Sequence, residues 1–250
     1  MRWVPSLLLA TAALIPLTAG AQSTWADRLK GSAPAEASAQ EAPAVTFGTE
    51  HETVIAGLRE ALGTSAERAI ASAGETDGFH NNAGIRVPLP GFLEDASSLL
   101  RGAGLTAEID ALDQDMNRAA ESATALAGPA LYDAIKQLTI DDPRTLLIGA
   151  RDSTTRLLRR RQGESLFEAL RPNVEAALLE ANAVEEFSEL NQQIGQRLPA
   201  LGTLEEIDLT DYVTQKTLDG LFLLMGEEES RIRENPEART SDLLRETFGN

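Results

Sequence analysis

Lys216 and Asp219 stand three residues apart in the stretch Asp211-Tyr212-Val213-Thr214-Gln215-Lys216-Thr217-Leu218-Asp219-Gly220. Helical spacing sets Tyr212, Lys216 and Asp219 on one face. After Leu218 the sequence is apolar nearly all round, the pattern of a helix in the middle of a bundle. A lysine buried there needs a partner, because a lone buried charge is costly. Asp219 is the nearest candidate. The simpler reading is a structural ion pair; the other is a polar pocket in which Lys216 is a perturbed amine.

Two further constellations carry polar chemistry. The first is the irregular run Asp77-Gly78-Phe79-His80-Asn81-Asn82-Ala83-Gly84-Ile85-Arg86-Val87-Pro88-Leu89-Pro90. Asn side chains satisfy backbone groups in such loops. Ile85 and Val87 can pin an extended segment to a core while Arg86 points the other way. A rigid connector is the favoured reading. A ligand-facing loop, with Asn81, Asn82 and Arg86 offering donors to an anion or polar group, is the functional one. The second constellation is Asp113, Asn117 and Glu121, a polar stripe at four-residue spacing beside Arg118. It is either a solvent face or an interior network with Arg86 or Lys216. The candidate ligand-binding residues are therefore Asp77, Asn81, Asn82, Arg86, Asn117, Glu121, Lys216 and Asp219. No residue is assigned a catalytic role, no metal ligand is assigned, and no cofactor is expected.

Other chemistries find little support. The chain has no cysteine, so thiolate zinc sites and thiol catalysis are impossible. His51-Glu52 lacks the second histidine four residues on that a zinc-protease helix needs, and His80 stands alone. Asp110, Asp113 and Asp115 diverge around a helix and cannot converge as calcium-loop ligands do; a solvated face is the preferred account. Gly102-Ala103-Gly104-Leu105-Thr106-Ala107 formally matches a dinucleotide fingerprint but follows a helix, so Gly102 and Gly104 read as left-handed helix caps. Arg156, Arg159, Arg160 and Arg161 form the densest basic cluster, and Glu227-Glu228-Glu229 the densest acidic one. Pairing between them is the simplest expectation; an acidic partner or an anionic glycan is the other.

The elements that must position these residues are helices. Ile55, Leu58, Leu62, Ala66, Ala69 and Ala73 recur at three and four residues and make one stripe over residues 54–73. Further helices are expected over residues 90–100, from Thr106 as a cap to Leu126, and over 130–138. A short one opens with Asp141-Asp142-Pro143, an acidic cap with proline in the first turn. Others follow from Asp152 or Ser153 to about Leu170, stopped by Pro172, then over 173–182 and 184–198. A long helix runs from Asp208 or Thr210 to about Glu234, and a short last one holds Leu243, Leu244 and Phe248. No stretch alternates with period two over strand length, and the prolines bar residues 85–90 from a sheet interior. The expectation is one all-α bundle of about eight to ten helices over residues 49–250.

The first residues read as an address. Arg2 precedes a short apolar run, and Ala19-Gly20-Ala21 closes it, so residues 1–21 form an expected cleavable signal peptide. Residues 22–48, rich in Ala, Ser, Glu and Pro, form an expected disordered tether. The location is then the periplasm, or outside the cell. The net charge is −17, and cleavage would remove Arg2 and no acid. That sign argues against nucleic acid and anionic lipid partners. No later stretch is apolar enough to span a membrane.

Four motifs occur in order: Asp77-Gly78-Phe79 through Pro90, Met116-Asn117-Arg118-Ala119-Ala120-Glu121, Asp211 through Phe222, and Ser241-Asp242-Leu243-Leu244. Together they resemble the bacterial domain-of-unknown-function family numbered 4197, over about Glu50 to Gly249. The resemblance implies a helical envelope protein, mostly from Gram-negative bacteria. It implies no activity, so no catalytic residue is carried over. This chain has Val87-Pro88-Leu89-Pro90 where Ile-Pro-Leu-Pro is usual, and Leu157-Leu158 where an aromatic is often found.

The leading functional expectation is a non-catalytic helical protein that binds a protein or small polar ligand, with oligomeric state open. The alternatives are a hydrolase or lyase using carboxylates and Lys216, and a structural envelope protein.

Overall fold

A computed structural model describes residues 47–198 and 207–249. The expected signal peptide and nearly all of the expected tether lie outside the described residues; residues 47 and 48, expected in the tether, are helical instead. Among the described residues nine α-helices follow in order: α1 Phe47–Ala73, α2 Phe92–Gly102, α3 Thr106–Ala125, α4 Gly128–Gln137, α5 Pro143–Ile148, α6 Ser153–Glu180, α7 Ala183–Arg197, α8 Leu209–Glu234 and α9 Asp242–Phe248. A 3₁₀ turn, Pro236–Ala238, joins the last two. Among the described residues there is no strand, and the fold is all-α.

The helix in the middle is α8. It packs against α1, α3 and α6, with α9 clasped to α1 and α7 to α3. Its core side chains include Val213, Leu221 and Met225, each essentially without exposure. Thr214 and Thr217 are buried too, and each hydroxyl donates to the carbonyl four residues back, Thr210 and Val213, at 2.7 Å. That local bond removes the cost of burying the hydroxyl.

Several helix ends follow local chemistry. Asp142 caps α5, its side chain accepting from Thr145 N, with Pro143 in the first turn. Asp208 caps α8 by accepting from Asp211 N. Gly104 takes φ 84, as a left-handed position requires. Three expectations are corrected. Gly102 is not left-handed but ends α2 as a helical residue, and Ala103 follows at φ −82. Thr106 does not cap α3; it is the first helical residue, and Leu105 precedes it without a side-chain bond. Pro172 does not stop α6, which continues to Glu180. Pro172 and Glu168, whose carbonyl loses its partner, both face solvent, so water can satisfy that oxygen. Leu166, Leu170, Val174 and Leu178 meanwhile stay buried across the break and hold the helix in line.

No helix among the described residues is long and apolar enough to cross a membrane.

Candidate functional site

The connection from α1 to α2 is irregular, and α3 supplies what its backbone lacks. Asp77 turns the chain at φ 68, a left-handed conformation that Asp tolerates better than most residues. Beyond Gly78, the amides Phe79 N and His80 N both donate to Glu121 Oε1 at 3.1 Å. Glu121 Oε2 accepts from Arg118 at 2.8 Å, and Arg118 also donates to Asp77 Oδ1 at 2.6 Å. The bond to Glu121 is the main cause that holds the Arg118 guanidinium above its ordinary pKa, with Asp77 adding to it.

Further along, Asn117 Oδ1 accepts from Val87 N at 2.9 Å and its Nδ2 donates to Val87 O at 3.0 Å. Nδ2 also donates to Asp113 O within α3. Asp113 itself pairs with Arg86 at 2.5 Å. Phe79, Ile85, Val87 and Leu89 are all buried, while Arg86 keeps an exposed side. Tyr212 from α8 closes the segment by donating to Pro88 O at 3.0 Å. Burial, and then the Glu94 carboxylate, push its phenol pKa up to about 12, so it stays a donor.

The polar stripe of α3 is therefore an interior network, with Arg86 as a member and Lys216 not. The solvated-face expectation for Asp113 is overturned, because Asp113 is buried against the loop. The local reason is that an extended backbone laid on a helix presents amides and carbonyls that α3 side chains must satisfy.

On the other flank of this loop lies a groove of about 630 Å³. Its floor is the face of α8 carrying Lys216, Gly220, Leu223 and Gly226. One wall is Gly84, Ile85, Arg86 and Pro88 of the loop, and the other is the first two turns of α6. Gly220 is required where the loop crosses, since a Cβ there would meet Phe79 Cε1 at 2.9 Å and Ile85 Cβ at 3.1 Å. Asp152 packs beside Gly226.

The expected pairing of Lys216 with Asp219 does not form. Asp219 accepts from Arg159 of α6 and from Gln215 at 3.2 Å. Lys216 leans toward the helix N-terminus, as helical side chains do, and its Nζ lies 5.7 Å from the centre of the Tyr212 ring. Among the described residues it has no carboxylate within ion-pair reach. Arg159 also covers the Phe222 ring at 5.7 Å. Arg156 donates to Asp152 at 2.7 Å. Arg161 reaches Asp141, Glu228 takes Arg68 and Arg231, and Glu229 takes Arg233. The basic cluster and the acidic triplet thus do not pair with each other.

Of the eight sequence candidates, Arg86, Lys216 and Asp219 line the groove. Asp77, Asn117 and Glu121 belong to the loop network. Asn82 Oδ1 accepts from Gly84 N and shapes a turn, and Asn81 is exposed. Sequence reasoning missed Asp152, Arg159, Leu223 and Glu227 as groove residues. The signal for the last two was present in the period of α8, which places positions 216, 220, 223 and 227 on one face.

The family model described as "Protein of unknown function (DUF4197)" matches residues 48–249. The chain belongs to this family. No curated protein and no solved structure matches it. The resemblance read from the four motifs is the family shown here, and those motifs now have structural roles. The first three build the loop network and the groove floor. The fourth starts α9, where Ser241 Oγ accepts from Leu244 N.

Proposed function

We propose that this family member is an exported, non-catalytic helical protein that binds a polar ligand in the groove between α8, the 84–88 loop and α6. The observation that carries the reading is Lys216: a half-buried cation facing a groove, resting on a tyrosine ring, with no carboxylate partner among the described residues. An ammonium so placed is poised for an anionic group, because its desolvation is already partly incurred. The groove volume of about 630 Å³ falls within the roughly 300–1,000 Å³ of small-ligand sites.

The carboxylates that a hydrolase or lyase would use are otherwise engaged. Glu121 accepts two backbone amides and Arg118, and Asp219 accepts Arg159. This favours binding over acid–base chemistry, which needs free groups within hydrogen-bond reach of a substrate.

Export rests on the pattern of residues 1–21, and the periplasm of a Gram-negative cell is the compartment we assign. The expected tether, residues 22–48, would then hold the bundle, its last two residues already belonging to α1. Two measurements test the reading. Cell fractionation should recover the chain from the periplasm with Gln22 at its N-terminus, and a chain found in the cytosol with Met1 intact would refute export. Thermal shift with a panel of small carboxylates and phosphates should raise the midpoint of the wild-type chain and not of Lys216→Gln. Equal shifts in both proteins would remove the groove from the reading.

A further inference from the structure

We infer that the ligand of the groove is a short peptide with free termini, about five residues long, lying extended along α8 with its carboxylate at Lys216 and its ammonium at Glu227. The inference rests on the groove being a ligand site, and adds the class of molecule.

Charge balance points to a zwitterion. Most charges around the groove are matched in place: Arg86 with Asp113, Arg159 with Asp219, Arg156 with Asp152. Two are not. Lys216 has only the Tyr212 ring, and Glu227 has no cation within reach among the described residues. One uncompensated positive charge therefore stands at one end of the groove and one negative charge towards the other. A ligand carrying a single charge would answer only one of them.

Distance selects the length. Lys216 and Glu227 are about 16 Å apart along the axis at ~1.5 Å per helical residue. An extended chain covers ~3.3 Å per residue, so about five residues bring a terminal carboxylate and a terminal ammonium to the two ends. An amino acid or dipeptide is too short to touch both.

The lining between the ends suits a peptide in the same way. Leu223 is 44 % exposed at the floor and offers apolar contact to small side chains. Gly226 is buried and lets Asp152 of the α6 wall pack close against the floor, which narrows the groove at this end. The Arg159–Asp219 and Arg156–Asp152 pairs border this stretch, and their spare donors and lone pairs can meet the amides and carbonyls of a peptide.

The experiment uses ¹⁵N-labelled full chain and the pentapeptide Ala-Ala-Leu-Ala-Ala in four forms: free, C-terminally amidated, N-acetylated, and both. The free form should move the amide resonances of Leu223 and Gly226. Amidation or acetylation should each weaken binding about tenfold, the loss of one hydrogen bond to a charged group. Lys216→Gln should abolish the difference between free and amidated peptide only, and Glu227→Gln the difference between free and acetylated peptide only. A protein that had lost its fold would lose both differences at once, and its dispersed spectrum with them. Four forms binding alike, or shifts away from Leu223 and Gly226, overturn the proposal. Succinate and inorganic phosphate serve as the second arm. If they move those amides while no peptide does, the groove stands as a site and the peptide falls. If no probe moves them, the binding reading falls as well.

Discussion

Asn117 makes with Val87 the two hydrogen bonds that a neighbouring strand would make, accepting from its N–H at 2.9 Å and donating to its carbonyl at 3.0 Å. A single amide side chain on a helix thus replaces a sheet partner for an extended segment. Both residues are fully buried, so water cannot substitute. The bond pair fixes which way Ile85 and Arg86 face, and through them the wall of the groove.

Replacing Asn117 by Ala orphans both polar groups of Val87. Each buried unsatisfied group costs ~1–3 kcal/mol, so we expect a loss of about 3 kcal/mol in chemical denaturation. Asn117→Asp preserves shape but points a carboxylate at the carbonyls of Val87 and Asp113, and should destabilise at least as much at neutral pH. If Asn117→Ala costs under about 1 kcal/mol, the network does not hold the loop.

Gly220 offers a test in which two effects oppose. In an unobstructed helix interior, Gly→Ala gains about 1 kcal/mol from propensity. Here the new Cβ meets Phe79 at 2.9 Å and Ile85 at 3.1 Å, and overpacking costs ~1–3 kcal/mol. Both neighbours are held in a loop that is itself bonded to α3, so they cannot give freely. Gly220→Ala should lower the unfolding midpoint, and a rise would show that the loop yields.

Glu229, on α8, caps α6 from outside. Its carboxylate accepts Thr154 N at 3.1 Å and Thr155 N at 2.7 Å, and pairs with Arg233, which also donates to the carbonyls of Leu146 and Leu147 at the end of α5. Asp152, the local candidate, makes no such bond. Glu229→Ala leaves Arg233 as a buried uncompensated charge and should cost ~3–5 kcal/mol. Glu229→Gln keeps an acceptor for the amides and should cost less. A double-mutant cycle with Arg233→Met should show coupling, and additive losses would mean that the two act separately.

Glu186 on α7 sets a pH dependence. Burial first, and then the hydrogen bond and charge of Asp115 on α3, hold its carboxyl above the ordinary pKa. The folded state therefore binds more protons than the unfolded one between the two pKa values. Stability falls as pH rises from the ordinary value through the raised one, and the penalty is complete above both. Glu186→Gln should thus raise the melting temperature at pH 7. The gain should shrink on acidification and vanish below about pH 4, where the carboxyl is protonated in either state. A gain that is constant with pH would assign the effect to packing.

Much of this protein was readable along the chain. Period and breaking residues determined an all-helical domain, with α8 at its middle and opening at Asp208 or Thr210, an acidic cap before Pro143, and Ile85 and Val87 as anchors either side of Arg86. These are local matters: a stripe at helical spacing must find a core, and an acid before a proline satisfies amides within three residues. Local rules also erred where distant packing was stronger, as at Pro172, which four buried side chains carry through α6. Tertiary structure alone decided the fate of the polar residues. The stripe Asp113, Asn117, Glu121 has the same spacing whether it faces water or the bare backbone of a loop 30 to 42 residues earlier. Asp219 could have taken Lys216 one turn away, but Arg159 arrives from α6, sixty positions off. A helix encodes the direction in which a side chain leaves it, and only the approach of another segment settles what that side chain meets.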